Sequence, residues 1–314
     1  MSVLGFAFEV TQSCNCDCSF CYNVWKQNPR YPSGTLNLAQ IKALFDIALV
    51  GVPVQSVFLS GGEPLLRDDL EEIVRYCKLR KLLVGVATNG LLLSQERAKA
   101  LAEAGVDLFE VTLLSAQPKT HNELCHNEYS FERACAAITN ALHCKVGVRV
   151  AFVATSLNIQ GVGEVADFIC TLGVREMGFY RFTPTGKGLA NSARLLPTKE
   201  QLSAALNILD ERSSRLKIKV SIGIPIEPCL LQKKPLHIPF TRCQAGKRKF
   251  TIDSVGNLRL CEQDSRILGN LFQQNVAMVL LKERIRSIRT PLPDKCRRCA
   301  QRYLCRGGCK FLCA

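Results

Sequence analysis

From residue 3 to residue 182 the sequence alternates short apolar runs with amphipathic stretches, and no other feature restricts its fold as tightly. The apolar runs at 3–10, 54–59, 82–87, 108–113, 146–154 and 176–182 have the length and the β-branched or aromatic content of strands. Between them, 38–50, 67–78, 94–104, 130–143 and 161–172 carry apolar residues at helical spacing. Six strands separated by helices mean successive βαβ units, hence an α/β fold with a parallel sheet and right-handed crossovers. Such a sheet is either open and doubly wound or curled into a partial barrel, and periodicity alone does not choose.

The pattern then breaks. Residues 183–188 have loop chemistry, a helix is expected near 198–213, and Pro225, Pro228, Pro235 and Pro239 crowd into fifteen residues. A hairpin pattern (249–252 and 258–261, turning at 253–257), a helix near 275–288 and a cysteine-dense tail follow. This last part has few large apolar residues, and a small domain of that kind needs metal to fold. The boundary falls near residue 215, giving domains over 1–215 and 216–314.

Hydrophobic residues make up 47% and charged residues 22% of the 314, which excludes a disordered or fibrous chain. No apolar run reaches a membrane span and the N-terminus lacks a secretory signal, so a soluble cytoplasmic protein is expected. The 17 cysteines are odd in number and gather in two short zones. In a reducing compartment, clustered thiols read as metal ligands rather than disulfides.

The first zone, 14–21, contains Cys14-x3-Cys18-x2-Cys21 in the loop after the first strand, at the carboxyl end of the sheet, where α/β folds place their ligands. Three thiolates on one loop can hold three irons of a [4Fe–4S] cube and leave the fourth open to a small molecule. The bland alternative is a zinc site with Cys16 as fourth ligand.

With Phe20 in the aromatic position, the motif resembles that of the radical S-adenosylmethionine (SAM) superfamily. Ser60-Gly61-Gly62-Glu63-Pro64 after the second strand resembles that family's segment for the methionine amino group. Thr88-Asn89-Gly90 ends the third strand, and Val111-Thr112-Leu113-Leu114-Ser115 the fourth, where members contact ribose or carboxylate. The resemblance implies that Cys14, Cys18 and Cys21 hold the cluster and that Phe20, Gly61, Gly62, Glu63, Pro64, Thr88, Asn89, Thr112 and Ser115 surround SAM. Many members have Asp-Gly where this chain has Leu114-Ser115. Cys16 is read as a bystander.

The second zone runs Cys243, Gly256, Cys261, then Cys296-x2-Cys299-x5-Cys305-x3-Cys309-x3-Cys313. It resembles the SPASM extension of radical SAM enzymes, which carries two auxiliary [4Fe–4S] clusters. Position by position, the resemblance gives Cys243, Cys261 and Cys309 to the first and Cys296, Cys299, Cys305 and Cys313 to the second. The first then needs a fourth ligand: Cys229, or else an open iron that binds substrate. Two zinc ribbons are the structural alternative. Cys77, Cys125, Cys135, Cys144 and Cys170 are expected to be small buried hydrophobes.

The fold so implied is a partial (β/α)6 TIM-type barrel followed by a small Cys-rich iron–sulfur (SPASM) domain. The implied activity is reductive cleavage of SAM at a [4Fe–4S] cluster to a 5′-deoxyadenosyl radical, which abstracts hydrogen from substrate, with the auxiliary clusters handling electrons. The substrate expected is a peptide or protein undergoing maturation by crosslinking, epimerisation or oxidation. Side-chain modification of a tetrapyrrole in an alternative haem pathway, or of another small molecule, is the second reading; a non-enzymatic scaffold or electron carrier is the third. Only thirteen residues precede Cys14, so a separate leader-peptide-binding protein or a leaderless substrate is expected, together with an electron donor of the flavodoxin or ferredoxin type.

Lys and Arg exceed Asp and Glu by 41 to 27, a formal charge of +14, concentrated around Arg242, Lys247, Arg248 and Lys249 and along 282–310. The excess offsets cluster charge and dresses a solvated surface, or else it attracts an acidic substrate. A single Trp and six Tyr offer little of the aromatic interleaving that nucleic acid calls for. No general acid or base is assignable from the sequence. Arg181, at the end of the sixth strand, is expected in a salt bridge at the sheet edge, with carboxylate binding at the barrel mouth as the other role.

Overall fold

The computed structural model describes residues 4–50, 53–231, 237–239, 242–275, 277–279, 292, 294–309 and 312. Six strands fall where the apolar runs lie: β1 Leu4–Thr11, β2 Val54–Gly61, β3 Leu83–Thr88, β4 Leu108–Thr112, β5 Gly147–Ala154 and β6 Glu176–Arg181. Each is parallel to its neighbours. The intervening helices α1 Leu38–Leu49, α2 Leu70–Leu79, α3 Gln95–Ala104, α5 Ser130–His143 and α6 Val162–Thr171 match the amphipathic stretches. Local chemistry sets their ends. Asn37 and Gln40 form a reciprocal capping box on α1, and the Ser94 side chain caps Arg97 N of α3. An extra helix, α4 Pro118–Cys125, fills the β4–α5 connection, and α8 Lys199–Leu216 follows the short α7 Ser192–Leu195.

The sheet is larger than the six runs suggest. β7 Lys219–Ile222 pairs parallel to β6 on one edge, and β8 Lys249–Ile252 pairs parallel to β1 on the other. The hairpin β8–β9, with β9 at Asn257–Arg259, and β10 Gly269–Asn270 continue that edge. The resulting order, β10-β9-β8-β1-β2-β3-β4-β5-β6-β7, is an unclosed ten-stranded sheet, consistent with a partial barrel. The sheet therefore crosses the boundary expected at residue 215: β7 and the hairpin belong to the same layer as the βα core. Runs of four and three residues are too short to reveal by periodicity which strand they will join. The expected helix over 275–288 lies mostly outside the described residues, as do Pro235, Cys313 and the basic residues at 282–289 and 310.

Residues in register across parallel strands share a face. One face carries Phe6, Phe8, Val57, Leu59, Val84, Val86, Phe109, Val111, Phe152 and Phe179, all buried against the helices. Burying each such side chain contributes about 1.5–3 kcal/mol before chain entropy is counted. The opposite, inner face mixes small, polar and aromatic residues: Thr251, Ala7, Phe58 and Gly85 align from β8 to β3, and Ala87, Glu110, Arg149 and Glu176 from β3 to β6.

Candidate active site

β1 ends at Thr11, and the chain turns at once into the first cysteine loop at the carboxyl end of the sheet. β2 ends beside it. Gly62 N donates to Thr11 O and Glu63 N to Ser13 O, each at 2.8 Å, so the Gly61-Gly62-Glu63 backbone lies flat against the root of the loop. Side chains are excluded there: a Cβ on Gly62 would stand 1.9 Å from the Ser13 carbonyl oxygen, and one on Gly61 2.3 Å from that of Thr11. Gly61 also sits at φ +125°, which L residues avoid.

Polar side chains clamp the loop on its remaining sides. Buried Asn23 donates to Gly61 O at 2.8 Å, Lys26 Nζ to Cys16 O at 3.0 Å, and Asn191 to Ser19 O at 2.9 Å. Lys187 Nζ donates to Asp17 O at 2.9 Å and pairs with the Asp17 carboxylate. Asn89 Nδ2 donates to Asn15 Oδ1 at 2.7 Å, tying the loop to the end of β3. Asn23, Lys187 and Asn191 lack any spacing signal, because their partners are brought to them by the fold.

Several residues expected around SAM use their side chains inside the protein. Glu63, 1% exposed, accepts from Leu65 N at 3.2 Å, Thr88 Oγ1 at 2.8 Å and Asn89 N at 2.8 Å. Burial pushes its carboxyl up to about 7 against those bonds. Ser115 Oγ accepts from Gln117 N at 3.0 Å, and Pro64 is buried at the start of the turn Pro64–Leu66. Glu63, Thr88 and Asn89 thus tie the ends of β2 and β3 together, while the Ser115 hydroxyl makes a local turn contact. Thr112 lies half-buried on the inner face, and Phe20 packs on Leu114, Leu124, Phe182 and Leu195. Buried at the mouth without a hydrogen-bond partner are Ser60 Oγ, Asn23 Oδ1 and Thr185 Oγ1.

Cys14, Cys18 and Cys21 are part-exposed and Cys16 is buried. Burial raises the Cys14 and Cys21 thiols, and the Lys26 ammonium beside them opposes that rise. Among the described residues no three ligating side chains converge on one point, so the fit to a cluster rests on donor chemistry and placement. Three soft thiols stand on one short loop, with lysines alongside to offset thiolate charge. Next to them lie a side-chain-free backbone and unpartnered polar atoms of the kind a charged, polar cosubstrate satisfies. By those observations the residues fit an iron–sulfur cluster with SAM.

The second cysteine zone divides. Cys243 and Cys261 are neighbours packed against the main core, and burial, with Glu262 and Cys243 adding to it, drives the Cys261 thiol strongly up. Cys309 is buried. Cys296, Cys299 and Cys305 line a cavity of about 440 Å³ together with Cys229. Cys229 is exposed and close enough to Cys305 to raise its pKa, after the larger effect of burial. Cys229, expected as a candidate fourth ligand of the first auxiliary cluster, sits in the wall of this cavity on the turn Pro228–Leu230, which packs on α8.

Arg181 is buried and donates to Glu227 Oε2 at 2.7 Å and Oε1 at 3.0 Å. The salt bridge is as expected, but β6 is an interior strand and the pair faces the cysteine-rich tail, not the sheet edge. On the inner face Glu110 accepts from Tyr180 at 2.7 Å and Arg149 at 3.3 Å. Glu9 forms a fully buried ion pair with Arg259, whose guanidinium lies over Trp25 and Tyr31.

The chain is similar to the PqqA peptide cyclase of Methylocella silvestris, at 31% identity over 207 residues, which are 66% of this chain and 54% of that relative. It thus spans about half the length of that relative. It is also similar to the AdoMet-dependent heme synthase of Methanosarcina barkeri, at 27% identity over 97% of this chain and 90% of that relative. Among solved structures, SuiB of Streptococcus suis bound to precursor peptide SuiA shares the fold, with a TM-score of 0.76 at 18% identity over 98% of this chain and 72% of that one. An iron–sulfur cluster-binding domain (SPASM) model matches residues 243–300. The radical SAM superfamily model matches residues 8–169, just over half of the 314, and the chain belongs to that superfamily of [4Fe–4S], SAM-dependent enzymes.

Proposed function

We propose that this chain is a radical SAM maturase acting on a peptide or protein. The observation that carries the reading is the three-thiol loop seated on the Gly61–Gly62 backbone above the polar inner face of the sheet. In this reading Cys14, Cys18 and Cys21 hold the SAM-binding cluster. Gly61 and Gly62 admit the cosubstrate close to the backbone, and Ser60 Oγ, Asn23 Oδ1 and Thr185 Oγ1 offer it unpaired polar atoms. Together the cluster and SAM supply one-electron cleavage of SAM and removal of a hydrogen atom from the substrate. Cys243, Cys261 and Cys309 hold a first auxiliary cluster. Cys296, Cys299, Cys305 and Cys313 hold a second, with Cys229 in the wall of the adjoining cavity, and residues 216–314 serve as the auxiliary part of the chain while lending β7 to β10 to the core sheet.

Support for a peptide comes from the similarity to a peptide cyclase and from the inner face itself. Its Glu110–Tyr180–Arg149 network and its small residues offer hydrogen bonds and room for a peptide backbone. Modification of a tetrapyrrole is the second reading, favoured by the heme synthase similarity. In this reading an external flavodoxin- or ferredoxin-type donor delivers electrons and a separate protein presents the peptide, and the clustering of cysteines as metal ligands supports a cytoplasmic setting.

The test uses anaerobically reconstituted, dithionite-reduced protein with SAM and mass-spectrometric detection of 5′-deoxyadenosine. The product is expected from the unmutated protein and not from Cys18→Ala. With candidate precursor peptides, a change in peptide mass is expected; turnover of a tetrapyrrole instead would move the substrate to the second reading.

A further inference from the structure

We propose that Arg181 and Glu227 are positioning residues for the turn between Cys305 and Cys309, and so set ligands of both auxiliary clusters against the βα core. This rests on the reading of Cys305 and Cys309 as cluster ligands. Arg181 ends β6 in the core, and Glu227 opens the turn Pro228–Leu230 on the way into the cysteine-rich part. The guanidinium donates to both carboxylate oxygens, at 2.7 and 3.0 Å, with side-chain exposures of 5% and 9%. The same carboxylate lies against backbone: a Cβ on Gly308 would stand 2.2 Å from Glu227 Oε1 and 2.4 Å from its Cγ. Arg181, Glu227, Cys305 and Gly307 share the wall of one cavity with Cys296 and Cys299.

Local preference alone does not hold the turn in this shape. Arg306, Gly307 and Gly308 stand in succession at φ +54°, +85° and +72°, a left-handed run that an arginine enters only when its surroundings over-determine it. Gly308 N donates to Cys305 O at 3.2 Å, closing the turn. A shift of Gly308 therefore moves Cys305 and the adjoining Cys309 together, the first read into the second auxiliary cluster and the other into the first. A buried ion pair contributes little net stability over well-packed apolar residues, because desolvation offsets its attraction. What a two-bond fork does supply is a fixed carboxylate plane, and a backbone packed on that carboxylate needs one. The residue after Arg181, Phe182, packs with Phe20 and Cys18 of the first cysteine loop. The end of β6 is thus a common strut, with Phe182 against the SAM-site loop and Arg181, through Glu227, against the auxiliary turn.

The experiment measures iron per chain, and the EPR signals of the reduced clusters with and without SAM, in the fully reconstituted protein. The forms compared are unmutated, Arg181→Ala and Arg181→Met/Glu227→Leu, each also unfolded in urea without metal. Arg181→Ala is expected to lose about one third to two thirds of its iron, one or both auxiliary clusters out of three four-iron clusters, while keeping the SAM-responsive signal. The double variant replaces the pair by apolar volume, and is expected to unfold at about the unmutated midpoint and still to lack that iron. Full iron with unchanged auxiliary signals in either variant would overturn the inference while leaving the site reading intact. A double variant whose midpoint falls along with its iron would reject positioning in favour of stability, and loss of the SAM-responsive signal as well would reject it as general unfolding. Full iron in Cys305→Ala/Cys309→Ala would refute the two thiols as ligands, and the inference with them.

Discussion

Arg259 joins the hairpin to the first strand, and its removal tests how far that joint holds the cluster-bearing half on the sheet. The guanidinium pairs with Glu9 with side-chain exposures of 0% and 1%. It also donates at 3.1 Å to the carbonyl oxygens of Glu262 and of Asp264. Arg259→Ala leaves the Glu9 carboxylate buried without its partner, a loss of about 3–5 kcal/mol. The two carbonyl acceptors lose charge-assisted donors as well, so a loss of at least about 4 kcal/mol is expected. At a urea m-value of about 3 kcal/mol/M the midpoint falls by more than about 1 M. The assay is urea unfolding followed by circular dichroism on the metal-free protein. The double variant Glu9→Leu/Arg259→Met removes both charges and replaces them with apolar volume, and is expected to regain about half of the loss or more. A single variant losing less than about 1 kcal/mol, or a double variant no better than the single, would refute the assignment of this pair as the joint.

Two further predictions concern the site. Glu63 titrates near 7 in the folded chain against an ordinary value of 4.5 because burial disfavours its charge, so the folded state holds the extra proton. Its contribution is therefore whole below pH 4.5 and falls as pH rises to 7, by about 3 kcal/mol at 1.36 kcal/mol per unit. Glu63→Gln does not titrate, so its stability relative to the unmutated protein is expected to rise across that window in paired denaturation curves; a pH-independent difference would contradict the assignment. In Gly62→Ala the new Cβ would stand 1.9 Å from the Ser13 carbonyl oxygen and push the cysteine loop off the β2 end. SAM affinity measured by equilibrium dialysis on reconstituted protein is expected to fall more than about tenfold, at a cost of about 1–3 kcal/mol in stability. Unchanged affinity would show that the close approach does not serve the cosubstrate.

The sequence alone determined the elements whose cause is local. Six apolar runs became six parallel strands because each is long enough to bury one face under the helices beside it. Cys14, Cys18 and Cys21 were legible because iron–sulfur ligation needs soft donors at short spacing on one loop, a pattern that survives without coordinates. Gly61 and Gly62 were legible too, although the reason for them, two backbones in contact, appears only in the folded chain. Tertiary structure decided everything that depends on distant pairs. β8 lies against β1 some 240 residues earlier in the chain, and a four-residue run contains nothing that names its partner. The same holds for Arg259 with Glu9, for Arg181 with Glu227, and for Cys229 beside Cys305. Cys125 reads in sequence as a small buried hydrophobe, and burial is indeed its state. A contact between distant segments, such as Ser19 donating to Leu124 O, is a property of their meeting, absent from either segment alone.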